Sequence, residues 1–262
     1  LGIVTMIIVS CPVIAEAQTE WKDNYVTLAV NDQTNPSIAR PSNEEYTIVV
    51  WEDTRDGGKD IYAQKIDNVH GLPQWTPVDG VPVCTASYDQ TNPRAAYDSL
   101  GHVIIVWEDA RGASNTTSIF AQCLDVSDGS ANWQTNGIAV CDTSADAMQP
   151  RIAGVAEGAY IAWVDSRNIL DVADSTNRDI YLQYLYSQTG NWPTGSGVTW
   201  QSCGILVSGD TTGLHDDRNV ELARDSWWKP AVDAKDKDGV VLVYESRRGM
   251  SGTGGADSIY FI

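Results

Sequence analysis

The chain is short of positive charge: 17 Lys and Arg stand against 35 Asp and Glu in 262 residues, a formal charge of −18 at pH 7. That balance argues against nucleic acid or an anionic membrane as partner, because phosphate binding needs clustered Lys and Arg. Phenylalanine is scarce at two residues, but ten Trp and eleven Tyr supply the aromatic bulk, and a 42 % hydrophobic content places the chain among folded proteins. Five cysteines are too few for a disulfide-dense scaffold, so the fold must rest mainly on its core. After Ile14 no run is long and apolar enough to cross a bilayer as a helix.

The one sustained apolar run, Leu1 to Ile14, precedes Ala15-Glu16-Ala17, a small-x-small pattern. It reads as a secretory signal peptide over 1–17, incomplete at its start because Leu1 is not Met and no basic residue precedes the run. The expected location is therefore secreted or cell-surface.

Repeats organise the rest. Gln33-Thr34-Asn35-Pro36, Gln90-Thr91-Asn92-Pro93 and Gln149-Pro150 each lead into an apolar stretch that ends in a signature: Trp51-Glu52-Asp53-Thr54-Arg55, Trp107-Glu108-Asp109-Ala110-Arg111 and Trp163-Val164-Asp165-Ser166-Arg167. The tryptophans recur every 56 residues. A weaker copy is Tyr244-Glu245-Ser246-Arg247, and Asp60-Ile61-Tyr62-Ala63-Gln64 has counterparts at 118–122, 179–183 and 257–260. Each unit predicts four strands, in the first unit around 36–40, 46–52, 60–67 and 81–85. The second strand is apolar throughout, as in Val103-Ile104-Ile105-Val106-Trp107, so both its faces should be buried between stacked sheets. The expected fold is all-β, a β-propeller of four-stranded blades. A partial propeller should fill 18–262, with units at about 33–89, 90–148, 149–208 and 230–262, and 21–33 should form a lone outer strand. Because 262 falls inside the third strand of the fourth unit, the chain reads as a piece of a longer one.

The repeat resembles those of bacterial secreted and cell-surface β-propellers of the broad sialidase-like (BNR, Asp-box) type. The resemblance rests on Asp67, Gly71 and Trp75 and on Asp125, Gly129 and Trp133, where that family turns between its third and fourth strands. It implies a propeller fold and a glycan-related role. No Arg-Ile-Pro strand of the sialidase kind is present.

The repeated Trp51, Asp53 and Arg55, with Trp107, Asp109, Arg111 and Trp163, Asp165, Arg167, read as a blade-stabilising motif. An Arg fork between two carboxylates, the second being Asp60 or Asp179, would fix the hairpin while the Trp packs on the next blade. Ligand contacts are expected in the loops of unequal length. The densest set lies in the insertion 208–229: His215, Asp216, Asp217 and Arg218 for polar or acid–base contacts, and Trp227 and Trp228 for stacking on sugar rings. No metal ligand set is complete, and no cofactor is expected. Calcium at Asp236-Lys237-Asp238-Gly239 lacks the closing Glu. Among the cysteines, Cys123 and Cys141 on neighbouring strands are the pair that could join, whereas Cys84 and Cys141 fall in different blades. Two functions follow: an exported non-catalytic module that binds or displays a glycan, protein or matrix ligand, or a sialidase-like glycan hydrolase or lyase with its site on the loop-rich face.

Overall fold

The computed structural model describes residues 24–41, 45–112, 116–168, 178–194, 200–208, 215–225, 239–248 and 257–261. Their strands form four separate antiparallel sheets in chain order. The first is β1 (Gln33–Ala39), β2 (Tyr46–Asp53), β3 (Asp60–Asp67) and β4 (Val81–Cys84). The second is β5 (Gln90–Tyr97), β6 (His102–Asp109), β7 (Ser118–Asp125) and β8 (Ile138–Cys141). The third is β9 (Ala147–Val155), β10 (Gly158–Asp165), β11 (Asp179–Tyr186) and β12 (Ile205–Leu206). The fourth holds β13 (His215–Asp225), β14 (Gly239–Arg248) and β15 (Asp257–Phe261). Every sheet is an up-and-down meander, and each stacks on the next through the faces of its strands. This is the blade arrangement of a β-propeller.

The apolar second strands explain the stacking. In β6, Val103, Ile105 and Trp107 point into a core shared with the first blade, while Ile104 and Val106 point into a core shared with the third. Period-two alternation thus splits one continuous apolar run between two cores. β10 does the same with Ile161 and Trp163 on one side and Ala162 and Val164 on the other. The signature tryptophans Trp107 and Trp163 therefore pack against the preceding blade, not the following one as the sequence suggested. The reason is register: Trp and Asp of the signature share one face, and the intervening residues face forward.

The glycine–tryptophan turns pin neighbouring blades. Trp75 is buried and its indole N–H donates to the Val126 carbonyl of the next blade at 3.1 Å. It lies beneath Gly129, where an added Cβ would meet the ring at 2.8 Å. Trp133 repeats this, donating to Ser187 O at 2.8 Å beneath Gly190.

The strands depart from expectation in three places. Residues 24–32 form no strand; their backbone is held by side chains, as in Leu28 N–H to Asp79 Oδ1 at 2.8 Å, and Tyr25, Leu28 and Val30 stay exposed instead of joining a sheet face. The fourth sheet begins at His215, so much of the segment read as an insertion is an inner strand that pairs from His215↔Arg248 to Asp225↔Gly239. The first strand of the first blade likewise starts at Gln33, with a bulge between Thr34 and Ser37.

Candidate functional site

The signature is built alike in three blades. Asp53 is fully buried and accepts the Trp51 indole N–H at 2.8 Å, the Arg55 backbone N–H at 2.9 Å, and a two-pronged guanidinium through Nε at 2.9 Å and Nη2 at 2.6 Å. Burial alone would raise the Asp53 pKa, but these donors outweigh it and hold the carboxyl below its usual range. Asp109 with Trp107 and Arg111, and Asp165 with Trp163 and Arg167, repeat the set. Each guanidinium lies over an aromatic ring, Tyr62, Phe120 or Tyr181, at 3.9, 4.1 and 3.8 Å from the centroid. The expected fork between two carboxylates is not formed: Arg55 Nη2 also donates to the Asp79 carbonyl at 2.8 Å, and Arg111 and Arg167 Nη2 donate to the carbonyls of Asn136 and Cys203. The second acceptor is thus a carbonyl of the strand-three to strand-four turn, where a second carboxylate was expected.

Left without the fork, buried Asp60 behaves differently. Burial, with Asp56, Asp53 and Asp89 nearby, pushes its pKa up to about 6. An unfolded aspartate titrates near 3.9. Between those values the folded state holds a proton that the unfolded state has lost, so the penalty is full above about pH 6 and fades as pH falls toward 4. Asp60→Asn should therefore raise the melting temperature at pH 7.5 and leave it nearly unchanged at pH 4. Parallel melting curves for the two proteins across that range would refute the assignment.

The glutamate of the signature has another task. Glu52 accepts the Asn35 side-chain amide at 2.7 Å, the Lys59 ammonium at 2.9 Å and, from the next blade, the Asn92 backbone N–H at 2.8 Å. Burial opposes its ionisation, but these donors win and lower its pKa. Glu108 likewise takes the Asn92 amide at 2.8 Å and the Gln149 backbone N–H at 2.6 Å. Asn35, Asn92, Gln149 and Asn219 sit at the inner-strand bulges, all with positive φ. Each glutamate thus clasps its own inner strand and the next one.

Among the described residues the clasp is broken between the third and fourth blades. Val164 occupies the register of Glu52 and Glu108 in the third blade, so no carboxylate from that position reaches Asn219. Beside this gap gather the side chains Arg178, Asp216, Arg218 and Glu245. Arg178 bridges to Asp216 at 3.8 Å, Arg218 Nη1 to Asp216 Oδ2 at 3.2 Å, and Arg218 Nε to Glu245 Oε2 at 3.7 Å. Glu245 accepts the Asn219 amide at 2.9 Å. Unlike the sealed Asp53, the Glu245 and Arg218 side chains are 41 % and 32 % exposed, open to a ligand.

The residues expected in a loop here are distributed as follows. His215, Asp216, Asp217 and Arg218 begin the inner strand β13; Trp227 and Trp228, and Asp236 and Asp238 of the calcium candidate, lie outside the described residues. Asp217 points away from Asp216 and is buried; neither of its carboxylate oxygens has a hydrogen-bond partner among the described residues, and neither has Ser246 Oγ across the ladder. In this blade Ser246 stands at the Asp53 register, so the buried carboxylate has moved one strand inward. Arg178 and Glu245 escaped the sequence reading as site residues. The substitution of Glu by Val at 164 was the available signal, since it marks where a per-blade contact is given up.

The fold defines the class as a β-propeller with four-stranded blades. No family model and no curated protein matches the chain. Solved structures do. A Bacteroides ovatus protein described as xyloglucan PUL GH43B has TM-score 0.42 and 12 % identity, covering 87 % of this chain and 39 % of its own. The α-L-arabinofuranosidase Arb93A from Fusarium graminearum has TM-score 0.48 and 10 % identity over 87 % of this chain and 61 % of its own. An endo-arabinase from Bacteroides thetaiotaomicron has TM-score 0.43 and 12 % identity over 91 % and 78 %. The chain therefore spans less than two thirds of the length of the first two. No helix among the described residues is long and apolar enough to cross a membrane.

Proposed function

We propose that this propeller is exported and acts on a glycan at the inner-strand gap between its third and fourth blades, hydrolysing a glycosidic bond with Asp216 and Glu245 as the paired carboxylates. The observation that carries this reading is the single Arg218 guanidinium touching both acids, at 3.2 and 3.7 Å, where the repeated glutamate clasp is missing. Sharing one guanidinium keeps the two carboxylates below the ~9.5 Å upper limit of the separation that glycosidic acid–base and nucleophile pairs use. Glu245 stands at the register of Glu52 and Glu108, but among the described residues only in this blade does that glutamate meet an arginine that also holds a second carboxylate, Asp216. Export is supported by the apolar run and Ala15-Glu16-Ala17 at the start of the sequence.

A second reading has its own observation. Arg178 and Arg218 converge on Asp216 in a chain of net charge −18, an arrangement suited to holding a carboxylated sugar without turnover. Reducing-sugar release and binding are to be measured together on arabinan, mannan and polygalacturonate. Hydrolysis predicts release from one of them, lowered by about 10²-fold or more in Asp216→Asn and Glu245→Gln while binding and melting temperature persist. Binding to polygalacturonate alone, lost in Arg218→Ala, would instead establish the binding module. The absence of both release and binding would rule out this site.

A further inference from the structure

The third blade carries a cysteine where the first two carry Asp79 and Asn136. The carbonyl of each of these residues accepts the guanidinium of its blade's signature arginine, at 2.8, 2.9 and 3.1 Å, and each is followed by a glycine at positive φ, Gly80, Gly137 or Gly204. Between the first and second blades the Asn136 side-chain oxygen accepts the Thr85 backbone N–H at 3.0 Å. Between the second and third blades the Cys203 sulfur takes the matching N–H, from Asp142, at 3.3 Å. The exchange of an amide for a thiol brings Cys203 into the same packed cluster as Cys141, which ends β8 of the neighbouring blade and directly precedes the Asp142 N–H donor. Arg167 fixes both, with Nη2 at 3.0 Å from Cys141 Sγ and 3.1 Å from the Cys203 carbonyl.

We propose that Cys141 and Cys203 close a disulfide that staples the second blade to the third. Both are free thiols in the structure, as are Cys84 and Cys123. The chemistry runs by exchange with a disulfide oxidant, small-molecule or protein. The neighbouring Cys141 thiol, opposed by burial and aided by the Asp142 N–H and Arg167, pulls the Cys203 pKa down, while the proximity of Cys203 and burial push Cys141 up. Cys203 is half-buried and Cys141 fully buried, so Cys203 is the thiol an oxidant reaches. The Cys203 thiolate attacks the oxidant RSSR, forming Cys203–S–SR and releasing RS⁻. Cys141 then displaces the second RS⁻ as it gives up its proton. Two protein thiols and one RSSR become one protein disulfide and two RSH, the protein losing two electrons and the oxidant gaining them. Neither Cys123 nor Cys84 takes part: the pairing crosses blades, and Cys84 faces Asn136 where Cys141 faces Cys203. The staple is independent of the glycan reading.

The test is incubation of the purified full chain with oxidised glutathione, alkylation under denaturing conditions and non-reducing peptide mass spectrometry. The Cys141 and Cys203 peptides should appear linked, with Cys84 and Cys123 alkylated, and the oxidised protein should melt about 5 to 10 °C higher until dithiothreitol is added. Cys141→Ser should trap glutathione on Cys203, and Cys203→Ser should abolish both the link and the response to oxidant. Alkylation of both thiols after oxidation, a link to Cys84 or Cys123, or an oxidised protein that melts unchanged would each overturn the proposal.

Discussion

Replacing Arg111 by alanine is expected to lower the melting temperature by about 5 to 15 °C, corresponding to about 2–4 kcal/mol in a domain of this size. Asp109 is fully buried, and three of its hydrogen-bond donors come from Arg111, two of them from the guanidinium that the substitution removes. The Trp107 indole and the backbone N–H of position 111 would remain, too little to satisfy a sealed carboxylate. The loss reaches further than the ion pair. Arg111 also donates to Cys84 of the preceding blade at 2.9 Å, to Asn136 O at 2.9 Å, and covers the Phe120 ring. Arg111→Lys should recover little, because an ammonium cannot keep two parallel bonds to Asp109 and stack on Phe120 together. Asp109→Asn would keep the shape and lose the charge, and should fall between the two. Thermal melts of these variants measure whether the signature supports the blade; unaltered melting in Arg111→Ala would mean that it does not.

What could be read in the sequence follows from where repetition was kept. Strands two and three of each blade were legible because Tyr46–Asp53 and Asp60–Asp67, and their copies, are apolar runs bounded by turn residues. β13 was not, because His215, Asp216, Asp217, Arg218 and Asn219 open it with five polar residues in a row. An inner strand borders the propeller axis, where polar side chains are tolerated, so a hydrophobic pattern fails there. Only its ladder to β14 shows that Asn219 is the counterpart of Asn35 and Asn92. The candidate site was half visible for the same reason. Asp216 and Arg218 stood out as a charged cluster, but Arg178 and Glu245 reach them across strand pairings, through the lone Arg178↔Asp216 bridge and the Arg218↔Glu245 register. The Cys141 and Cys203 neighbourhood was hidden by the longer connection between β11 and β12, which masks that Cys203 and Asn136 share a position.

Gly154→Ala is expected to be the most damaging single methyl in the described part of the fold. Gly154 lies in the inner strand β9 and faces the backbone of Tyr97 in β5, across the contact between the second and third blades. A Cβ built there would overlap the Tyr97 carbonyl oxygen, with the carbonyl carbon at 2.6 Å and Tyr97 N at 3.1 Å. The obstacle is backbone, so no rotamer change relieves it; one inner strand must shift relative to the other. Such a shift would pull on the contact of β5 with β9 and on the Glu108 clasp at Gln149, which depends on a 2.6 Å bond across the same pair of blades. Overpacking of this kind costs about 3 kcal/mol or more when the neighbour cannot yield. The melting temperature should fall by about 6 °C or more, with loss of soluble protein. Gly112→Ala provides the comparison: its φ is not in the left-handed region and the nearest atom to an added Cβ is 3.7 Å away. There the same methyl should be neutral or slightly stabilising, because it restricts only the unfolded chain. Equal melting temperatures for the two variants would show that the second and third blades are not held at the spacing their inner strands display.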